Sequence, residues 1–128
     1  MTRFAALGDS ITVGMGDPAP GRGWAALLAS TLPQPELHNL ATLGALAADV
    51  ERVQLPAATA LRPDVASVVV GINDTLRGDF DPERTGLSLE RVKLNVLSKP
   101  SGNLQLHECL PSARLKVRNR FSKRNEKT

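Results

Sequence analysis

Apolar residues in the early part of the chain fall into short dense runs and helically spaced singles. Phe4-Ala5-Ala6-Leu7 is a dense run that stops at Gly8-Asp9-Ser10. Its length alone permits strand or helix, but a loop-forming stretch, Gly14-Met15-Gly16-Asp17-Pro18-Ala19-Pro20-Gly21, comes closely after it and favours a strand feeding a turn. Trp24, Leu27, Leu28 and Leu32 then recur at helical spacing, and Pro33 stops that helix. Residues 36–40 read as a second strand. Leu46, Val50 and Val53 mark a second helix after Gly44, with Asp49 and Glu51 on its wet face, and Pro56 begins another helical turn.

The clearest strand is Val65-Ala66-Ser67-Val68-Val69-Val70, a nearly continuous β-branched run of the kind buried on both faces of a parallel sheet. It ends at Gly71-Ile72-Asn73-Asp74. Asp81 is a suitable N-cap with Pro82 at the first helical position, so a third helix begins there. The order β-loop-α-β-α-β-α predicts a doubly wound α/β sheet. Beyond Thr85 two readings stay open: Val92, Leu94 and Val96 alternate like a strand, whereas Leu89, Val92 and Val96 fit a helix face. Pro100-Ser101-Gly102-Asn103 is a turn, and residues 114–128 are basic, poor in apolar side chains and expected to be disordered.

Composition changes the picture at one point. Residues 1–87 carry six basic side chains, all Arg, and ten acidic ones; residues 88–128 carry ten basic, five of them Lys, against three acidic. Alanine breaks at the same place, with fourteen before residue 88 and only Ala113 after it. The break divides the chain into an N-terminal part, 1–87, and a divergent basic segment, 88–128, of the kind that a frameshift or fusion produces. It falls inside the third expected helix. At 128 residues the whole is one domain at most.

Cys109 is the only cysteine, which excludes an internal disulfide, and with His38 and His107 it makes no metal spacing. Gly21-Arg22-Gly23-Trp24-Ala25-Ala26 has the letters of a dinucleotide fingerprint, but Pro18 and Pro20 precede it and no strand feeds it, so no cofactor is expected. No apolar run approaches the ~20 residues of a membrane span, and the first residues lack a secretory pattern, giving a cytoplasmic expectation. The basic tail has no interleaved aromatics, which argues against nucleic acid.

Ligands of open parallel sheets bind beyond the carboxyl ends of the strands. Three polar groups fall there: Ser10 after the first strand, Gly44 beyond the second and Asn73 after the third. A hydroxyl, a backbone N–H left open by glycine and a side-chain amide are the parts that acyl transfer needs. Phe4-Ala5-Ala6-Leu7-Gly8-Asp9-Ser10-Ile11-Thr12 resembles the first block of the GDSL/SGNH hydrolases. Asn39-Leu40-Ala41-Thr42-Leu43-Gly44-Ala45 resembles the second block, and Gly71-Ile72-Asn73-Asp74 the third.

The resemblance covers about residues 1–87. It implies a three-layer, flavodoxin-like parallel sheet with helices on both faces, incomplete here at three recognisable strands. It implies Ser10 as nucleophile and oxyanion donor, the Gly44 N–H and the Asn73 amide as further donors, Asp9 and Asp74 as shapers of turns, a small ester substrate and no metal. The family's Asp-x-x-His element is missing: no Asp follows Asp81, and the only late histidine, His107, has Leu104 three residues before it. His107 is retained as the candidate base, with a bland histidine as its alternative; His38 reads as a core or sheet-surface residue. Two expectations result, a weak or inactive ester hydrolase and a truncated, non-catalytic fragment whose basic tail binds an anionic partner.

Overall fold

A computed structural model describes residues 1–19, 21–97 and 105–108. Four strands, β1 (Thr2–Gly8), β2 (Pro35–Asn39), β3 (Val65–Val69) and β4 (Gln105–Glu108), form one parallel sheet in the order β2-β1-β3-β4. The chain steps from β1 to β2 on one side and then crosses back to place β3 on the other. That reversal puts the topological switch between β1 and β3, where an open sheet offers a crevice at its carboxyl end.

The middle of β1 explains the layering. Phe4, Ala5, Ala6 and Leu7 are all fully buried, so this run packs on both faces. Phe4 and Ala6 meet Ala25 and Ala29 of helix α2 (Trp24–Ser30), with Trp24, Leu28, Leu32, Leu37 and Val65 closing around them. Ala5 and Leu7 face the other way, into a larger core with Ala66, Val68 and Val70 and with Ala47, Val50, Leu55, Ala58, Val92 and Val96 of later helices. The expected three layers are present. The fourth strand was not anticipated from sequence: it spans only four residues and takes its place by pairing residues 105–108 with the free edge of β3. The expected turn at residues 100–103, Cys109 and the basic tail at 114–128 lie outside the described residues.

The helical stretch after Gly44 differs from the expected pair of short helices. Helix α3 (Ala47–Asp49), a π-helical turn (Val50–Gln54) and helix α4 (Leu55–Leu61) succeed one another without interruption. Pro56 therefore does not begin a new turn. It lacks an N–H and its ring crowds the carbonyl four residues back, and a widened turn just upstream accommodates both. Val53, expected to share the inner face, is 61% exposed, while Gln54 is buried beside Val50, Leu55 and Ala58. The amide of Gln54 takes the inner position because it finds polar partners there, on Gly8 and Thr42.

Beyond the short helix α5 (Ile72–Thr75), the sixth helix, α6 (Pro82–Leu97), starts as the cap predicts: Asp81 Oδ1 accepts from the N–H groups of Glu83 (3.0 Å) and Arg84 (3.3 Å). The ambiguity beyond Thr85 resolves as helix, with Val92 and Val96 buried in the larger core and Leu94 52% exposed. Composition switches at residue 88, yet α6 runs through that point and Ser88 is buried. Through Leu89, Val92 and Val96 the basic segment shares a core with the residues before it. Val92→Ala is expected to lower stability by about 1–2 kcal/mol in urea unfolding, whereas Leu94→Ala leaves the midpoint nearly unchanged.

Candidate active site

Gly8 ends β1 under tight constraint. A Cβ there would lie 2.3 Å from the Val69 carbonyl oxygen and 2.9 Å from Thr12 Oγ1, so no side chain fits. The next residue, Asp9, is buried and caps helix α1 (Ser10–Val13), its Oδ1 accepting from the Ile11 N–H at 3.0 Å. Ser10 is half-buried at the first position of α1. Its carbonyl accepts from the Gly14 and Met15 N–H groups. Among the described residues nothing bonds its hydroxyl or its backbone N–H.

The loop after β2 returns to the same place. Leu40 N–H donates to the Ala6 carbonyl (2.8 Å) and Thr42 N–H to the Gly8 carbonyl (3.1 Å), extending the pairing of β2 with β1. The chain then turns, Ala45 N–H donating to the Thr42 carbonyl at 3.3 Å with Gly44 in the third position at φ +71°. Positive φ at that position is what calls for glycine. The Gly44 N–H has no acceptor among the described residues, and nothing crowds its α-carbon.

Asn73 sits in α5, which is joined to β3 through Gly71 at φ +128°. Its Nδ2 donates to the Ala45 carbonyl at 3.2 Å, tying the end of β3 to the residue after Gly44. An amide nitrogen carries two hydrogens, so one remains for a ligand. Buried Asp74 braces the arrangement: Oδ2 accepts from the Ala47 N–H at 3.0 Å, where α3 begins, and Oδ1 from the Thr85 hydroxyl at 3.5 Å. Asp9 and Asp74 thus both hold turns rather than standing free, although Asp9 Oδ2 has no partner among the described residues.

Ser10, Gly44 and Asn73 therefore gather at the carboxyl end of the sheet. The two histidines do not join them. His107 lies on edge strand β4 opposite Ser67, which itself pairs with Ala6, so its register position is level with Ala6 and two strands from β1. His38, on edge strand β2 opposite Ala5, bonds Glu36 Oε1 through Nε2 at 2.8 Å. That hydrogen bond, aided by Arg3 and opposed by desolvation, holds the Glu36 carboxyl below its usual range. Sheet-surface is the right description of His38. No group of three or more potential metal ligands occurs among the described residues, nor is any described helix long and apolar enough to cross a membrane.

Residues 6–119 match the model of the GDSL-like lipase/acylhydrolase family, and the chain belongs to that family. Similar solved structures include TesA, at 26% identity and a TM-score of 0.67, with 81% of this chain and 58% of TesA covered. AlinE4, an SGNH-hydrolase family esterase, matches at 24% identity and a TM-score of 0.66, over 82% of this chain and 57% of that one. The psychrotrophic esterase EstA from Pseudoalteromonas sp., solved inhibited by monoethylphosphonate, matches at 20% and 0.68, over 84% and 58%. The chain thus spans less than two thirds of the length of each. Curated protein sequences yield no match.

One residue at this end of the sheet escapes a reading of the sequence. Gln54 Oε1 accepts from the Gly8 N–H (2.8 Å), and its Nε2 donates to the Gly8 carbonyl (2.9 Å) and to Thr42 Oγ1 (3.1 Å). The available signal is a polar residue four positions after Val50 on an otherwise apolar helix face. For the brace at Asp74, Asp74→Ala strands the buried Ala47 N–H and is expected to cost about 1–3 kcal/mol in urea unfolding. The exposed pair partner Asp79, replaced by Ala, should change it little.

Proposed function

We propose that the chain is a serine hydrolase of the SGNH type acting on carboxylic esters, with Ser10 as nucleophile. In this reading Ser10 Oγ attacks the ester carbonyl carbon and its proton passes to a base. The negative charge developing on the carbonyl oxygen is met by the N–H groups of Ser10 and Gly44 and by the free Nδ2 hydrogen of Asn73. Collapse of the tetrahedral species expels the alcohol and leaves an acyl group on Ser10, which water then removes. The observation that carries the reading is the bond from Asn73 Nδ2 to the Ala45 carbonyl, because it brings an amide from α5, which follows β3, to the residue after Gly44. Each polar group also has an exposed apolar neighbour, Ile11, Leu43 and Ile72, which suits an ester with an apolar part.

Among the described residues no histidine has a register position beside Ser10. A hydrolase stripped of one triad member keeps roughly 10³–10⁴-fold acceleration from the oxyanion hole and positioning, so slow turnover fits this chain better than efficient turnover. The register of His107, level with Ala6 on edge strand β4, argues against it as the base and leaves a second reading, a non-catalytic chain whose basic segment binds an anionic partner. The two separate in a short-chain acyl ester assay. Wild type is expected to hydrolyse the ester slowly and to be phosphonylated at Ser10 by a p-nitrophenyl alkylphosphonate, which loses p-nitrophenolate, as read by peptide mass spectrometry. Ser10→Ala loses both, and equal hydrolysis by the two proteins refutes the esterase reading. Asn73→Ala is expected to lower kcat by about 10²–10³-fold. His107→Ala with unchanged activity removes that residue from the mechanism, and salt-insensitive nucleic-acid titrations remove the anionic partner.

A further inference from the structure

We propose that Gln54 is a positioning residue that locks the turn bearing Ser10 to the turn bearing Gly44; this rests on Ser10 being the nucleophile and Gly44 an oxyanion donor. Its carboxamide spans one backbone residue completely, accepting from the Gly8 N–H at 2.8 Å and donating to the Gly8 carbonyl at 2.9 Å. The same nitrogen reaches Thr42 Oγ1 at 3.1 Å. Gly8 stands two residues before Ser10, and Thr42 two residues before Gly44. One side chain thus holds the backbone just upstream of the nucleophile and the Thr42 hydroxyl just upstream of an oxyanion donor.

The polarity of the grip is unambiguous. A backbone N–H can only donate and a carbonyl can only accept, which fixes which end of the amide faces which group. Among side chains that reach this far, Gln offers both functions in one plane without charge, as Glu does only when protonated. Core stability calls for only one of these bonds, because the buried Gly8 N–H has Gln54 Oε1 as its acceptor. The neighbouring inner positions are Val50, Leu55 and Ala58, and the Gly8 carbonyl already receives the Thr42 N–H at 3.1 Å. A leucine of similar size would fill the space. Gln54 is only 3% exposed, so water cannot substitute for its amide. Its bonds are spent on the geometry between two turns, and displacements of ~1 Å at such a place cost about 100-fold in rate.

The test uses the full chain with two substitutions. Gln54→Leu is expected to keep the circular dichroism spectrum and a cooperative melt, while kcat falls about 100-fold and KM stays within about twofold. Gln54→Glu supplies the conservative rescue. When protonated, its carboxyl can accept from the Gly8 N–H and give its one O–H to the Gly8 carbonyl, with the Thr42 hydroxyl turning to donate to it, whereas ionised it only accepts, so its activity relative to wild type is expected to be high at acid pH and to fall as that carboxyl ionises.

In ¹⁵N-labelled Gln54→Glu, the amide resonances of Gly8, Ser10, Thr42 and Gly44 should move together through the same titration, a readout that needs no turnover. Unchanged kcat in a folded Gln54→Leu overturns the proposal. So does titration of Gly8 alone with Ser10 and Gly44 stationary, which also decides the matter if Gln54→Leu does not fold. Loss of the hydrolase reading itself is seen separately, as activity in Ser10→Ala equal to wild type.

Discussion

The backbone of Gly8 meets three elements at once. Its carbonyl accepts from the Thr42 N–H and from Gln54 Nε2, its N–H donates to Gln54 Oε1, and a β-carbon on it would strike the Val69 carbonyl 2.3 Å away. The loop after β2, the π-helical turn and the end of β3 therefore all take their position from one residue of β1. A side chain at Gly8 would push β3 away, and with it the Asn73 amide. The central strand can carry this role because it is fully buried from Phe4 to Leu7 and so is held by helices on both faces.

Chemistry at the carboxyl end derives from that constraint. Ser10 and Gly44 keep N–H groups free of acceptors among the described residues, and Asn73 keeps one amide hydrogen free while the other bonds Ala45. Buried carboxylates do the opposite work: Asp9 and Asp74 spend acceptor oxygens on the turns that carry those donors. Free donors are thus gathered at one end of the sheet, a polarity that suits a ligand whose oxygen gathers negative charge. Family membership rests on residues 6–119 as a whole. The chain nevertheless spans 58% of TesA, and no histidine of the described part stands beside Ser10.

The strands and turns were legible because their signals are local. Dense apolar runs end in glycine at Gly8 and Gly71, and Asp81-Pro82 marks a helix start by itself. Gln54 was not legible because its partners, the N–H and carbonyl of Gly8, lie 46 residues away. Seen locally it is one more polar residue in a helix. Strand β4 was invisible for a related reason: four residues carry too little pattern, and the pairing depends on the exposed edge of β3. Val53 was misplaced because spacing alone could not reveal that a neighbouring amide had polar partners inside. Compositional change, by contrast, was visible and marks no break in α6.

The π-helical turn at Val50–Gln54 also sets how this helix tolerates changes of length. Val50 and Leu55 are both buried although they stand five residues apart, a spacing that α-helical winding at about 100° per residue would put on different faces. The wide turn, closed by the Leu55 N–H on the Val50 carbonyl, absorbs the surplus residue and returns Leu55 and Ala58 to the core. Removing exposed Val53 would leave Gln54, Leu55 and Ala58 at three, four and seven residues from Val50, which is the ordinary α-helical stripe. One deletion at this turn is therefore compatible with both the core and the Gln54 bonds. An added residue, or a deletion within α3 or α4, would instead carry one packed face out of phase with the other. The helix is thus one residue longer than its core requires, and only at this turn can its length change without rotating its ends.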